Sequence, residues 1–362
     1  MPVICNHDFT DRVRAGFIGC GGHSFRNIFP TFQYTPVELA AVCDVVKERA
    51  ETYKEFFGAS AAYSDHNEML AKEKLDVVFI VTNYIPGGEP RYPELAAECL
   101  RAGAHVWIEK PPVGNLEDVR VLREAMAESG KKLAVGFKKM FTPANMRLKQ
   151  IISSPQFGRI STISLRYPLR TASVEDLMRT SDDKGSPRRR VGFLDHLPHP
   201  VSILQLLGGR VESVYHTINQ DYGGFVIFNM KSGATASLHC AFGQSGSSHL
   251  ERTEVIGDME NAVVENGIRL TYYRRLKPQG PGRSGDFTGD IDDAPVVWEP
   301  QFSLGTIRNK TLFLVGYYNE IKYFCDAVLN DTKIEIGNID DAEEGIQIFE
   351  AFKEGPNKLV TL

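Results

Sequence analysis

RAGFIGCGGHSF, residues 14–25, runs from an apolar strand-like segment straight into Gly19, Gly21 and Gly22, with a helix expected to open near His23. A tight turn after a strand asks for glycine first. Close approach of backbone to a pyrophosphate asks for a residue without Cβ second, and the helix N-terminus then offers amide donors and a favourable dipole. Ser24 stands where the third small residue of this fingerprint falls. Glycine turns occur in many α/β proteins, so the surrounding pattern decides the reading.

That pattern continues outward. Strand-like runs at 13–18, 37–43, 77–82, 105–108 and 133–136 alternate with helix-period segments such as Leu95, Cys99, Leu100 and Val119, Leu122, Met126. Strand–helix repetition predicts a doubly wound parallel sheet over residues 1–140, a Rossmann domain. Asp44 ends the second run, 25 positions after Gly19, where a carboxylate accepts the adenosine ribose hydroxyls. The same charge repels a 2′-phosphate and Val45 offers no arginine to bind one, so NAD is expected over NADP, with Lys47 a partial counterweight. Asp44 also has a plainer reading as a cap for the helix that follows.

Beyond 140 the grammar changes. Runs at 159–167, 223–229, 234–241 and 254–257 follow one another with turn signals, predicting a C-terminal α+β domain, 141–362, around a mostly antiparallel open sheet. One face of that sheet is expected to meet a second copy of the chain, as a homodimer or homotetramer. Residues 277–293, rich in Gly, Pro, Asp and Ser, predict a long loop or lid. Helices at 318–330 and 342–353 close the chain and could pack back on the first domain.

With 362 residues, 42% hydrophobic and 24% charged, the chain has the composition of a folded globular protein of about two domains. Its formal net charge of -5 lacks the positive field of a nucleic-acid or anionic-membrane binder, the run Arg188, Arg189, Arg190 excepted. Uninterrupted apolar runs are far below the roughly 20 residues of a membrane span. The acidic N-terminus, with Asp8 and Asp11, does not resemble a secretory signal, so a cytoplasmic protein is expected. The six cysteines form no CxxC pair, which predicts free, mostly buried thiols.

Two further motifs carry chemistry. In HVWIEKPPVGN, residues 105–115, Glu109 and Lys110 emerge at the carboxyl end of a parallel strand, the edge where such sheets bind ligands. A lysine there can hydrogen-bond a substrate hydroxyl and ease loss of its proton. In VGFLDHLPHPVSIL, residues 191–204, Asp195 and His199 are four apart and share a helix face if a helix starts close to Asp195, as Pro198 and Pro200 suggest. A carboxylate beside an imidazole makes a tunable acid and base. His196 points away by about a quarter turn and is a candidate substrate contact. A metal triad of Asp195, His196 and His199 is disfavoured, because these vectors converge poorly and no other motif supports a metal.

Together, the glycine turn, the strand-end EKP and the downstream DxxxH resemble the Gfo/Idh/MocA oxidoreductase family. DVVFIVTN at 76–83, AGAHVWIEKPP at 102–112, VGFKKMFTPAN at 135–145 and FGRISTISLRY at 157–167 extend the resemblance over nearly the whole chain. It implies that Gly19, Gly21, Asp44, Thr82, Asn83 and Glu109 line NAD, with Gly22, His23, Ser24 and Lys110 beside them. It further implies that Lys110, Asp195 and His199 form the catalytic set, and that the substrate is a sugar, sugar acid, inositol or glycoside. In that reading Lys110 polarises the reacting oxygen, His199 takes its proton, and Asp195 orients substrate and His199. Arg166 and Tyr167 are further candidate substrate contacts. Among departures from the family pattern, Ser24 is tolerable to a dinucleotide, whereas TNYIPGGEPRYP at 82–93 and the HLPH spacer remodel the pocket. Lys138 and Lys139 stand where other polar residues are common and face either a carboxylated sugar or water. Two other activities fit the same motifs: an NAD-recycling lyase or glycosidase, and a non-catalytic sugar or cofactor sensor.

Overall fold

A computed structural model describes residues 9–179, 188–275, 294–300 and 310–362; the segment 277–293 and Cys5 lie outside the described residues. Six strands form the first sheet: β1 (Val13–Ile18), β2 (Val37–Cys43), β3 (Ala61–Tyr63), β4 (Val77–Ile80), β5 (His105–Glu109) and β6 (Leu133–Gly136). All pair in parallel in the order β3-β2-β1-β4-β5-β6. This is the Rossmann order, and its direction reverses between β1 and β4, opening a crevice at their carboxyl ends.

Strand alternation explains the two cores. Val13, Ala15, Phe17, Val77 and Phe79 face one way, while Val78, Ile80, Val106 and Ile108 face the other. Helices Tyr92–Arg101 and Leu116–Ser129 cover the second face through Ala96, Leu100, Val119 and Leu122. The first face is covered by Ile28, Phe29 and Phe32, and by Ile321, Phe324 and Cys325 of helix Tyr317–Leu329. A closing helix from beyond residue 300 thus supplies part of the core of the first sheet.

The second sheet holds β7 (Thr162–Tyr167), β8 (Val211–His216), β9 (Gly224–Met230), β10 (Thr235–Cys240), β11 (Arg252–Ile256), β12 (Asn261–Glu265), β13 (Arg269–Tyr273), β14 (Val296–Trp298) and β15 (Leu359–Thr361). Its order is β14-β13-β12-β11-β7-β10-β9-β8-β15, antiparallel except for the β7–β10 pair among the described residues. Ile163, Leu165 and Tyr167 of β7 are buried toward helix Pro198–Gly208, and Thr162, Ser164 and Arg166 are exposed on the open face. The five described cysteines are free and buried. No helix among the described residues is long and apolar enough to cross a membrane.

Candidate active site

Gly19 follows β1 with φ 104°, and a Cβ there would stand 1.9 Å from the carbonyl oxygen of Val81. Only glycine permits this approach, and it occurs where β1 and β4 part. Gly21 has open space around its missing Cβ, and Gly22 meets only the Arg26 side chain, at 3.7 Å. The turn therefore keeps a bare backbone cradle, as a pyrophosphate requires. Ser24 is buried and donates its hydroxyl to Gly19 O at 2.6 Å, so it locks the turn from within.

Asp44 Oδ2 accepts from Cys20 N at 2.8 Å and Oδ1 from Val46 N at 2.9 Å. The carboxylate ties the glycine turn to the end of β2 and makes a local turn with Val46 N, while helix Lys47–Phe57 has Val46 at its N-cap and takes no side-chain cap hydrogen bond from Asp44. Across the crevice, Thr82 has a buried hydroxyl with no partner among the described residues, while Asn83 is exposed. Gly21, Gly22, His23, Ser24, Thr82, Asn83, Glu109, Lys110 and Asp195 all line one cleft of about 260 Å³. Bare glycine backbone, an orphan hydroxyl and the Asp44 carboxylate fit a dinucleotide.

Glu109 ends β5, Lys110 follows it, and their side chains part in direction. Glu109 is buried; Asn27 Nδ2 donates to His23 Nδ1 at 3.2 Å, which leaves His23 Nε2 to donate to Glu109 Oε1 at 2.9 Å. Tyr317 OH lies 3.5 Å from the same Nε2, and Lys138 Nζ donates to Tyr317 OH at 3.0 Å. Burial pushes the Lys138 ammonium below its usual range, with Glu109 opposing the shift. Lys139 is paired with Glu251 at 2.5 Å.

Lys110 Nζ donates to Asp195 Oδ1 at 2.8 Å, and Tyr84 OH donates to the same oxygen at 2.8 Å. Burial alone would raise the Asp195 pKa, but Lys110 and the two hydrogen bonds outweigh it and hold the carboxyl below its ordinary value. His199 opens partly to the surface but lies deep in the protein, beside Tyr167 at 6.1 Å between ring centroids. Burial, then the charges of Lys110, Lys138 and Lys139, push it well below its usual range, so its imidazole is neutral at pH 7.

Two expectations need correction. Asp195 does not start a helix: it lies in the last turn of helix Arg188–His196, and a second helix, Pro198–Gly208, carries His199. Pro198, lacking an N–H, fits only the first turn of a new helix, so the break falls between the two residues. The Asp195 carboxylate accordingly serves Lys110 and Tyr84 rather than His199. Arg166 sits on the exposed face of β7, opposite Tyr167, because neighbouring strand residues point to opposite sides. His196 is exposed, its Nδ1 2.8 Å from Gly192 O and 3.7 Å from Asp195 Oδ2. Tyr84, Tyr317 and Glu320 were not singled out by sequence; only the unusual loop at 82–93 hinted at the first. Among the described residues no His, Cys, Asp and Glu cluster could hold a metal.

Glu320 is 2% exposed, and neither carboxyl oxygen has a partner among the described residues. Burial, then Glu109, raises its pKa well above the ordinary value, against Lys138. A carboxyl with a raised folded pKa contributes fully below its unfolded pKa, and its contribution is lost as pH rises toward the folded one. Glu320→Gln removes that loss. Its melting temperature should therefore exceed the parent's by a margin that widens from pH 5 to pH 8, by a few °C if an unsatisfied buried group costs about 1–3 kcal/mol. Circular dichroism melts at the two pH values check this; a margin independent of pH would refute it.

A Rossmann crevice with a glycine cradle, and a lysine–carboxylate pair at its mouth, define a dinucleotide-dependent oxidoreductase. Residues 13–137 match the model of the oxidoreductase family with NAD-binding Rossmann fold, and residues 145–262 match the GFO/IDH/MocA C-terminal domain. The chain belongs to the Gfo/Idh/MocA oxidoreductase family. It is 26% identical over 273 residues to a D-xylose 1-dehydrogenase (NADP(+)) of Haloferax volcanii, covering 71% of this chain and 79% of that one. It is 27% identical over 243 residues to an inositol 2-dehydrogenase of Rhodococcus erythropolis, covering 66% and 67%. The fold is shared with an Agrobacterium radiobacter oxidoreductase solved with NAD+, L-tartaric acid and magnesium, at TM-score 0.74 and 15% identity, covering 97% and 98%.

Proposed function

We propose that the protein is an NAD-dependent dehydrogenase acting on a CH–OH group of a sugar, sugar acid, inositol or glycoside. The observation that carries this reading is Lys110 Nζ held 2.8 Å from Asp195 Oδ1 in the cleft that the glycine turn also lines. Relatives named xylose and inositol dehydrogenases support the substrate class.

In this reading Gly21 and Gly22 offer amides to the pyrophosphate, and Asp44 accepts the ribose hydroxyls while repelling a 2′-phosphate. Thr82, Asn83, His23 and Glu109 flank the nicotinamide end. Bound NAD supplies the hydride acceptor. Lys110 donates to the substrate oxygen and lowers the hydroxyl pKa. His199, kept neutral, has a lone pair for the leaving proton. Asp195, ionised, neutralises Lys110 and holds it. Tyr167 borders the substrate side beside His199. The exposed face of the second sheet, with Phe225 52% exposed, is the surface through which copies of the chain associate.

The test is absorbance of reduced nicotinamide while the protein meets sugars, sugar acids, inositols and glycosides with NAD or NADP. A rise with one stereochemical class, larger with NAD, is expected. Net reduction with none of them would overturn the dehydrogenase reading.

A further inference from the structure

The segment leaving β4 folds back on itself. Tyr84 and Pro90 form an antiparallel bridge, Ile85 N donates to Glu89 O at 2.8 Å, and Gly88 N to Ile85 O at 2.9 Å. Two side chains of this closed turn reach helix Arg188–His196. Glu89 Oε1 accepts from Arg190 Nη2 at 2.6 Å, and Arg190 is 3% exposed, so this pair is an interior anchor. Five residues further along the helix, Tyr84 donates to Asp195 Oδ1, the oxygen that also receives Lys110. The frame is also close-packed: a Cβ at Gly114 would stand 1.8 Å from Glu89 Oε2, which has no hydrogen-bond partner among the described residues, so the backbone four residues beyond Lys110 packs against the same carboxylate.

We propose that Tyr84 is a positioning residue of the Lys110–Asp195 pair, with the Glu89–Arg190 anchor holding its turn in place; this rests on the oxidoreductase reading above. A carboxylate touched by one flexible ammonium can rotate and exchange its oxygens. A second donor on the same oxygen selects Oδ1 for Lys110 and leaves Oδ2 toward His196. The phenol stays a neutral donor, because burial first and Asp195 second push its pKa up. Facing Asp195 are Lys110 from just after β5, Tyr84 from the stretch after β4, Tyr92 from the start of helix Tyr92–Arg101, Tyr167 from β7, and His196 from its own helix. Lys110 and Tyr84 donate directly to it. Loss of the Tyr84 hydroxyl removes one donor from the ionised form, so Asp195 should bind its proton at higher pH.

Tyr84→Phe keeps the ring and deletes the donor. The expected kcat is lower by about tenfold, with KM for NAD within about twofold and the acid limb of the profile moved to higher pH. A purely structural ring contact would move neither the limb nor the carboxyl titration. A 13C NMR titration of aspartate carboxyls, with Asp195 assigned by its loss in Asp195→Asn, gives the substrate-free readout. Asp195 should titrate at higher pH in Tyr84→Phe than in the parent. An unmoved titration overturns the proposal even if the enzyme turns over. A moved one supports it even if no substrate is found, in which case the oxidoreductase reading alone falls. Glu89→Gln, which keeps the phenol and weakens the anchor, should shift Asp195 in the same direction by less. If it leaves Asp195 unmoved, the anchoring half is wrong.

Discussion

Lys110→Ala is expected to lose hydride transfer by about 100- to 10,000-fold, the range over which a positioned proton-handling group acts, while NAD binding changes by less than threefold. The lysine is the cation that pairs with Asp195 and lines the same cleft as the glycine turn. Its removal does two things at once. It deletes the donor that polarises the substrate oxygen, and it leaves the part-buried Asp195 carboxylate with the Tyr84 hydroxyl and the more distant His196. The Asp195 pKa should therefore rise, because burial, its largest influence, is no longer outweighed. Single-turnover reduction of NAD, with cofactor binding measured separately by fluorescence, tests this. Normal turnover by the variant would remove Lys110 from the mechanism.

The second large effect separates two glycines of one turn. Gly19→Ala places a methyl 1.9 Å from Val81 O at φ 104°, so the β1–β4 junction must move. Backbone strain of about 1–3 kcal/mol, with about as much again from overpacking, should lower the melting temperature by about 3–8 °C. Gly21→Ala meets nothing within 4 Å in the folded chain, so its melting temperature should stay within about 2 °C, Gly→Ala being neutral or slightly stabilising where the backbone allows it. Yet its methyl would occupy the cradle, and NAD affinity should fall by more than about tenfold, the result of losing about 1.4 kcal/mol. Thermal melts and NAD titrations on both variants decide the matter. A Gly21→Ala protein that binds NAD like the parent would show that no phosphate lies over that backbone.

Much of this was legible in sequence because the signals are local. Five of the six strands of the first sheet were visible as apolar runs, whereas β3, three half-buried residues at a sheet edge, carried too little hydrophobic contrast. β8 and β12 to β15 were missed as well; β14 and β15 are three-residue, largely exposed strands, and β15 pairs with β8 from far along the chain. The glycine turn and EKP were legible as neighbours of the crevice, since a strand end, a tight turn and a charge must be adjacent in sequence to work. The link between Asp195 and His199 was misjudged because spacing alone treats a helix as continuous, and Pro198 starts a new one.

What the sequence by itself determined is the parallel sheet, its switch point and the residue types at its carboxyl edge, all set by periodicities of two and 3.6 residues and by glycine and proline geometry. What only the tertiary structure decided is who meets whom across long chain distances. Tyr84 reaches Asp195 over 111 positions, Lys138 reaches Tyr317 over 179, and Phe324 closes a core begun at Val13. These contacts follow from packing two sheets and a returning helix into one body, and the side-chain pattern of a single segment carries no record of its distant partner.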